Sequence, residues 1–314
     1  MHNDLFSLNI FGKTVTIHGY GLMIAIGIAA AIVIAILRAR KKKIDPDPIL
    51  DVALIVLFAG FLGGKIMYII VDWKEFIKAE NKWGYLGGGG FVVYGGIILV
   101  LLACAVYFRI RKMDFFEYFD LIMPEVSVAQ GFGRIGCFLA GCCYGSVTDS
   151  PLGVVFPPES FAITHLGEKI WPTQLFMSIG NFAIAGILLI SGRFLKKKGQ
   201  VGSLYLILYA IGRFVVEFFR DDPRGSIKIF FMKDRSISTS QFISIFVLIA
   251  GIALFIWRTR AGSNNTKAEE KIESKKEDKK SVKSESKNDK KSESKVENKS
   301  DKNLNTKKAK VSKK

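Results

Sequence analysis

Residues 118–145 read YFDLIMPEVSVAQGFGRIGCFLAGCCYG, an apolar stretch that carries one arginine, Arg134, among glycines and cysteines near its end. About 20 residues of helix are needed to cross roughly 30 Å of hydrocarbon, so residues 118–140 predict a membrane span. A cation within such a span is costly, at least about 2.5 kcal/mol near a helix centre, and usually marks a paired or functional site. The stretch therefore indicates a helical membrane protein with a polar site.

The composition of the whole chain indicates the same class. Hydrophobic residues make up 49% of the 314 positions, although residues 261–314 are almost wholly polar. Because a spanning segment must satisfy its own backbone hydrogen bonds, we expect helices. Seven windows are long and apolar enough, at roughly 20–37, 49–71, 91–108, 118–140, 173–191, 201–219 and 239–257. We therefore expect an all-α integral membrane protein with seven transmembrane helices.

Basic residues between the expected spans predict the orientation. Lysines and arginines follow the first, third, fifth and seventh spans, in RARKKK (38–43), RIRK (109–112), GRFLKKK (192–198) and RTR (258–260). Cytoplasmic loops are rich in Lys and Arg, so the N-terminus is expected outside and the C-terminus in the cytoplasm. The loop 220–238 is an exception, since it is also basic but is expected outside.

The last part of the chain has a different composition. Residues 261–314 consist mainly of Lys, Glu, Ser, Asn and Asp and contain no aromatic residue. Such a segment cannot bury enough apolar surface to offset the entropy of ordering. We expect a membrane domain over residues 1–260 and a disordered, basic, cytoplasmic tail over residues 261–314. Attraction to anionic headgroups and simple solubility are both open explanations of the tail's charge.

Several charged residues fall within the expected spans. Arg213, Glu217 and Arg220 recur at i, i+4 and i+7, which places them on one face of a helix. Together with Arg134 they leave a net positive charge near the outer surface, and guanidinium groups bind phosphate oxygens in pairs. We expect an outward-facing anion site, with a helix–helix clamp as the alternative for the Arg213 face. Two other charged residues are expected to snorkel or to pair between helices: Lys65 and Glu125.

These residues occur in segments that resemble the bacterial prolipoprotein diacylglyceryl transferase family. The family signature, close to G-R-x-G-N-F-x-N-x-E-x-x-G, is similar to GRIGCFLAGCCYG at 133–145. Further segments similar to the family are HGYGLM (18–23), GGKIMY (63–68), WPTQLF (171–176) and RFVVEFFR (213–220). The resemblance covers nearly all of residues 15–260, and the order of the segments makes it specific.

The resemblance implies a multi-pass protein of the bacterial cytoplasmic membrane. Such enzymes transfer the diacylglyceryl group of phosphatidylglycerol to the lipobox cysteine of a prolipoprotein signal peptide, the first step of lipoprotein maturation. A thioether forms and glycerol phosphate leaves. The implied partners are these two substrates and membrane lipids. We expect no cofactor, no metal and no nucleic-acid partner.

The resemblance also implies roles for individual residues. Arg134 and Arg213 are expected to be catalytic, because fixed cations stabilise the charge that develops on a leaving phosphate. The expected substrate-binding residues are Tyr20, Arg134, Gly145, Glu217 and Arg220. In this group the tyrosine hydrogen-bonds the glycerol or phosphate region, and the last two residues orient Arg213 and the headgroup.

The chain departs from the family at the position of the proposed general base. Tyr94 stands before two glycines where the family usually has a histidine that takes the thiol proton. A thiol of pKa about 8.5 is already about 3% thiolate at pH 7, so we expect the change to slow or alter the mechanism without abolishing it. Tyr94 is expected to act as a catalytic residue that orients the substrate. His18 or His165 is a candidate proton relay.

Cysteines replace part of the signature. Cys137, Ala140 and Cys142 stand where the family has two asparagines and a glutamate. No C-x-x-C pair is present, and adjacent Cys142 and Cys143 pair poorly. Plain packing, or a structural disulfide between Cys137 and Cys142, is therefore favoured over redox catalysis. Cys104 is expected to pack as a small apolar residue.

Two other functions stay open at this point. One is a divergent paralogue that binds, transfers or exports another anionic lipid group, which the change at Tyr94 keeps in consideration. The other is a membrane thiol oxidoreductase, which requires the cysteines and tolerates changes to the arginines.

Overall fold

The computed structural model describes residues 4–10, 13–87, 90–158, 160, 165, 167–221, 226–228 and 236–260. The tail predicted over 261–314 lies outside the described residues. The helices are α1 Gly19–Lys42, α2 Asp47–Val71, α3 Trp73–Lys78, α4 Lys82–Gly87, α5 Val93–Ile110, α6 Phe115–Ala140, α7 Thr173–Ser191, α8 Gln200–Val216 and α9 Thr239–Arg260. A 3-10 turn, Glu217–Phe219, continues α8.

Three short antiparallel hairpins accompany the helices. They pair β1 Asp4–Ile10 with β2 Lys13–His18, β3 Val154–Val155 with β4 Lys169–Ile170, and β5 Ser226–Lys228 with β6 Ser236–Ser238. The prediction of an all-α protein did not include them. The strands β3 to β6 have only two or three residues each, which is too little pattern to be recognised in a sequence, whereas β1 and β2, of seven and six residues, were missed because the search for spans tested only long apolar windows.

Six helices in the described part of the chain are long and apolar enough to cross a membrane: α1, α2, α5, α7, α8 with its 3-10 extension, and α9. Large apolar side chains on these helices remain exposed, and Phe58 in α2 is 68% exposed. Soluble proteins rarely expose an apolar surface of this extent, so the prediction of a helical membrane protein is confirmed. The predicted span 118–140 coincides with α6, which is less apolar than these six helices.

Helix α6 is the centre of the bundle, because it packs against α1, α7 and α8. A serine of α6 donates a hydrogen bond to the backbone of α7, and a serine of α7 donates one to the backbone of α6. Ser127 Oγ donates to the carbonyl of Asn181 (2.8 Å), and Ser178 Oγ donates to the carbonyl of Gly131 (2.9 Å). Small side chains of this kind let helices approach closely in a membrane, where lipid removes most of the hydrophobic drive to associate.

The basic segments gather at one end of the bundle. Asp120, near the start of α6, accepts hydrogen bonds from the backbone N–H groups of Gly199 and Gly202 at the start of α8 (both 2.7 Å). Arg258 of α9 donates to the carbonyl of Lys198 (2.6 Å) at the same end. The segments that follow α1, α5 and α7 lie here too, and the residues predicted to form the anion site lie at the opposite end.

An ion pair fixes α1 against α6. Glu125 of α6 is only 2% exposed, and its Oε1 lies 2.5 Å from Nη1 of Arg38 in α1. The same Nη1 also donates to the carbonyl of Leu121 (2.8 Å). The interhelical pairing expected for Glu125 is thereby confirmed. Lys65 is half-buried in α2, and the expectation that it snorkels or pairs between helices stays a prediction.

Breaking this ion pair should destabilise the bundle. Arg38→Leu or Glu125→Leu leaves the other charge buried without its partner, at an expected cost of about 3–5 kcal/mol of unfolding free energy. The double variant removes both charges and should recover most of that loss. Thermal unfolding in detergent, followed by circular dichroism, measures all three. A double variant as unstable as the sum of the singles would contradict the pairing.

Candidate functional site

Helix α6 ends in a turn that brings two cysteines together. Gly141 adopts φ 72°, a left-handed conformation that glycine takes at low cost. Its N–H donates to the carbonyl of Phe138 (3.2 Å), and the N–H of Cys142 donates to the carbonyl of Cys137 (3.1 Å). These two hydrogen bonds define a Schellman motif, in which the second residue after the helix contacts a residue of the last turn. Cys142 therefore lies against Cys137.

Cys143 completes a cluster of three thiols. The Sγ atoms of Cys137, Cys142 and Cys143 all lie within 4.8 Å of one another. No disulfide joins these three described cysteines, so of the two favoured explanations, plain packing and a Cys137–Cys142 bridge, the bridge is absent. The turn is held from α7, because buried Gln174 Nε2 and Thr173 Oγ1 donate to the carbonyls of Cys142 and Cys143 respectively (both 2.8 Å).

Arg220 connects the cysteines to the second part of the site. Hydrogen bonds with the thiols of Cys137 and Cys142, and then the charge and hydrogen bond of Arg220, lower the pKa of the Cys143 thiol. The Arg220 side chain is almost fully buried, and its Nε lies 3.9 Å from Oε2 of Glu217. One guanidinium thus lies between a thiol cluster and a carboxylate.

Gly145 holds the backbone of Arg220 in place. The two residues form an antiparallel bridge, and the Gly145 N–H donates to the carbonyl of Trp171 (3.0 Å). A Cβ atom on Gly145 would lie 2.5 Å from the carbonyl oxygen of Phe219 and 2.6 Å from Cβ of Trp171. Only glycine fits at this position, and this explains structurally why the signature has a glycine there.

Arg213 is fixed by partners on two elements. Its Nη1 lies 2.5 Å from Oε2 of Glu217, and its Nη2 donates to Ser240 Oγ of α9 (2.7 Å). Glu217 Oε1 also accepts a hydrogen bond from Ser238 Oγ (2.6 Å). The expected contact of Arg213 with Glu217 is confirmed. The expectation that Arg220 continues the same helical face is wrong, because α8 ends at Val216, a 3-10 turn follows, and Arg220 itself has an extended backbone. The arrangement orients Arg213 and also joins α8 to α9.

Arg134 differs from the other two arginines. It lies half-buried on α6, one turn before Cys137, and forms no hydrogen bond or ion pair with any residue that the structure describes. Tyr20 of α1 is 43% exposed and packs on Gly136, where an added Cβ would meet the Tyr20 ring at 3.1 Å. Arg134 and Tyr20 are close enough to interact electrostatically. A guanidinium and a phenol are therefore both accessible to a ligand.

Tyr94 lies on a different helix from these arginines. It lies in the first turn of α5 and is 43% exposed, and within the described residues no hydrogen bond joins it to the site. Helix α5 packs chiefly on α2, where Gly95 and Gly63 bring the two backbones together. The catalytic role of Tyr94 stays a prediction.

The two candidate relay histidines lie in different places. His165 packs edge-on against the Tyr144 ring (5.6 Å between centroids), with Nδ1 3.0 Å from Glu168 and Nε2 3.5 Å from Asp221. Because Tyr144 and Asp221 flank the bridge of Gly145 to Arg220 in the chain, His165 lies beside the site. His18 is exposed at the end of β2.

Several residues that hold the site were missed in the sequence: Thr173, Gln174, Ser238 and Ser240. Thr173 and Gln174 follow Pro172, and a proline at this point indicates the start of a helix. Side chains in the first turn of α7 could therefore have been expected to contact the chain outside the helix. The sequence signal for the thiol contact was the glycine after the last turn of α6, since a C-terminal glycine predicts a Schellman motif. Nothing local indicated that Arg213 would meet a serine of α9.

The charges and shape of the site define the kind of ligand it fits. Three arginines and one glutamate, Arg134, Arg213, Arg220 and Glu217, leave a formal charge of about +2, which favours an anion. An apolar cleft between α7 and α8, lined by Met177, Ile184 and Val216 among others, leads to Arg213. The fold and site together define a helical membrane protein with a net positive polar site beside an apolar cleft.

Comparison with known proteins identifies the family. Residues 7–257 match the sequence profile of the family described as prolipoprotein diacylglyceryl transferase, and the chain belongs to that family. The phosphatidylglycerol–prolipoprotein diacylglyceryl transferase of Clostridium tetani is 44% identical over 252 residues, which cover 80% of this chain and 94% of that protein.

Other relatives carry the same name. The transferase numbered 2 of Clostridium perfringens is 44% identical over 246 residues, which cover 78% of this chain and 92% of that protein. The transferase of Clostridioides difficile is 30% identical over 268 residues, which cover 85% of this chain and all of that protein. The resemblance found in the sequence motifs is thereby confirmed.

The close contacts around Gly145 predict a stability difference between two glycines. Gly145→Ala should lower the unfolding free energy by about 1–3 kcal/mol, the usual range for overpacking, because its Cβ would displace the Phe219 carbonyl. Gly133→Ala is the matched control, since no atom lies within 4 Å of the position of its Cβ. Thermal unfolding in detergent compares the two. Equal melting temperatures would contradict the packing around Gly145.

Proposed function

We propose that the chain transfers the diacylglyceryl group of phosphatidylglycerol to the lipobox cysteine thiol of a prolipoprotein signal peptide. The observation that carries the proposal is the accessible guanidinium of Arg134, half-buried on α6 beside Tyr20. Membership of the family and the names of the relatives support the same reaction. The proposed partners are these two substrates and membrane lipids.

The proposed lipid pose follows from the charges and the cleft. The headgroup phosphate lies between Arg134 and Arg213, whose planar donors match phosphate oxygens in pairs. Tyr20 hydrogen-bonds the glycerol or phosphate region. Glu217 keeps Arg213 oriented, and Arg220, positioned by its bridge to Gly145, adds positive charge. The apolar cleft between α7 and α8 accommodates part of an acyl chain.

The proposed chemistry is a displacement at carbon. The lipobox sulfur attacks the glycerol carbon that carries the phosphate ester, a C–S bond forms, and the C–O bond breaks. The electron pair leaves with glycerol phosphate, and Arg134 and Arg213 stabilise the charge that develops on it. This electrostatic interaction is stronger in a site that excludes water. Tyr94 orients the substrate, and His18 or His165 relays the thiol proton.

The proposed topology has seven spans, with α6 as the fourth, in the bacterial cytoplasmic membrane. Contact of α6 with α1, α7 and α8 supports its place in the bundle. The gathering of basic segments at one end supports a cytoplasmic C-terminus and an N-terminus outside. Burial of Arg220 in the site accounts for part of the basic loop at 220–238. The membrane domain then ends near residue 260, and residues 261–314 form the cytoplasmic tail.

Replacing Arg134 tests the proposal most directly. Arg134→Ala should lower the transfer rate by about 10²–10³-fold, the usual effect of removing a group that stabilises transition-state charge. Membranes from cells depleted of their own transferase, with this chain expressed, are given labelled phosphatidylglycerol and a lipobox peptide. Mass spectrometry then follows the diacylglyceryl mass gain. The control is Arg109→Ala, an exposed arginine at the other end of the bundle.

Each result has a clear meaning. A mass gain that is lost with Arg134→Ala and kept with Arg109→Ala supports the transferase. No gain from the folded, well-expressed chain would refute it and favour a paralogue that handles another anionic lipid group.

The role of Tyr94 is tested by removing its hydroxyl alone. If Tyr94 orients substrate by one hydrogen bond, Tyr94→Phe should lower kcat/KM by about ten-fold, the equivalent of roughly 1.4 kcal/mol. The pH profile should not change, because an orienting hydroxyl carries no proton in the reaction. Steady-state assays at several pH values measure both. A changed profile would make Tyr94 a proton carrier, and an unchanged kcat/KM would remove its hydroxyl from the mechanism.

A further inference from the structure

The thiols of Cys137, Cys142 and Cys143 have no task in the reaction described above, although they lie between its arginines. Their Sγ atoms are mutually within 4.8 Å. Thiolates bound to one zinc ion at about 2.3 Å in tetrahedral geometry lie about 3.8 Å apart, so small side-chain rotations suffice to reach that arrangement. The sequence spacing C-x4-C-C does not by itself predict a metal site. The Schellman motif at the end of α6 is what brings the three sulfur atoms together.

We propose that these three thiols bind one Zn²⁺ ion, and that the fourth position of the ion takes the lipobox cysteine of the precursor as a thiolate. The inference rests on the proposed function. The ion generates the thiolate for which the family usually has a histidine at the position of Tyr94, and the released proton passes to solvent, directly or by way of His18 or His165. The proposal departs from the expectation, drawn from the sequence, that the protein binds no metal.

The cluster is held as metal ligands usually are. Gln174 and Thr173, both fully buried, donate hydrogen bonds to the carbonyls of Cys142 and Cys143, so the turn is fixed from α7. Cys143 itself adopts φ 63°, a left-handed conformation uncommon for a residue with a side chain. Ligands oriented by surrounding hydrogen bonds are typical of metal sites, and strained backbone is common at functional sites.

The charges around the cluster favour the metal complex. Three thiolates and Zn²⁺ carry a net charge of about −1, which would be costly within a membrane protein without a counter-ion. Arg134 interacts electrostatically with Cys137, and Arg220 interacts with Cys143. The negative charge of the zinc complex is therefore compensated by Arg134 and Arg220, while Arg213 remains available for phosphate.

The number of ligands indicates a catalytic site. Structural zinc sites have four protein ligands, whereas catalytic sites have three and leave one position for water or substrate. Among the residues that the structure describes, no fourth His, Cys, Asp or Glu joins this group. Zinc deprotonates a thiol that it coordinates, so binding of the precursor generates the nucleophile.

The proposed step balances without any redox change. The lipobox thiol displaces zinc-bound water and its proton passes to solvent. The bound sulfur then attacks the glycerol carbon, the C–O bond breaks, and the electron pair leaves with glycerol phosphate near Arg134 and Arg213. The product thioether is uncharged and a weaker ligand, so water replaces it. Zinc remains Zn²⁺ throughout.

The test uses the full chain in detergent or nanodiscs, with reductant present. Metal content is measured by mass spectrometry after zinc loading, and Co²⁺ replaces zinc as a spectroscopic probe of thiolate coordination. A lipobox peptide with cysteine is compared with the same peptide carrying serine. Variants are Cys142→Ser and Cys137→Ser, with Cys104→Ser as control, since Cys104 is buried in α5 outside the cluster. Circular dichroism and size-exclusion chromatography check folding.

We expect one zinc per chain, with binding lost in the two cluster variants and kept in Cys104→Ser. The Co²⁺ protein should show thiolate charge-transfer bands that change with the cysteine peptide and not with the serine peptide. Transfer should fall about thirty-fold in metal-free protein, the factor set by the thiolate fraction of an unassisted thiol at pH 7. The cobalt spectrum of the unmodified chain decides the matter even if a variant does not fold.

Other outcomes would overturn the inference. Failure to bind zinc or cobalt would do so, and so would a cobalt spectrum that does not change when the cysteine peptide is added. A Cys137–Cys142 disulfide that persists with reductant, or full transfer by metal-free protein, would also contradict it. Full transfer without metal would leave the proposed function intact. Absence of transfer with and without zinc, in a chain whose cobalt spectrum responds to the peptide, would instead refute the proposed function.

Discussion

Charged side chains on α6 find their partners on neighbouring helices, and these contacts explain why α6 lies at the centre of the bundle. Helix α6 carries Asp120, Glu125 and Arg134, and charged residues of this kind are costly on a surface that faces lipid. Asp120 accepts the first N–H groups of α8, and Glu125 pairs with Arg38 of α1. The two carboxylates thereby fix which helices surround α6, whereas Arg134 forms no hydrogen bond or ion pair with the residues that the structure describes.

The site combines one accessible cation with two that are held rigidly. Glu217 and Ser240 orient Arg213, and a backbone bridge to Gly145 positions Arg220. Cations held in place before the reaction need no rearrangement when charge develops on a leaving group, which is the main source of electrostatic catalysis. The helix–helix clamp considered as an alternative for the Arg213 face is also present, since the same contacts join α8 to α9. Orientation and stability are served by the same hydrogen bonds.

Two departures from the family pattern, Tyr94 and the cysteines of the signature, can be explained together once the fold is known. Tyr94 and the cysteines of the signature are far apart in sequence, and each alone suggests a weakened or altered enzyme. The structure unites the cysteines next to Arg134 and Arg220, and a metal bound there would do the work of the missing histidine. The oxidoreductase considered as an alternative is not the activity that the family description or the names of the relatives give.

The sequence by itself determined the class of protein, a helix at each of the seven predicted spans, the pairing of Arg213 with Glu217 and the family. Hydrophobic length, basic loops and i, i+4 spacing are local properties, so they can be counted along the chain. Tertiary structure decided which buried charge has a partner, which glycine has no room for a side chain, and which thiols meet. Those outcomes depend on residues such as Arg38 and Glu125, or Arg213 and Ser240, that come together only when helices distant in sequence pack.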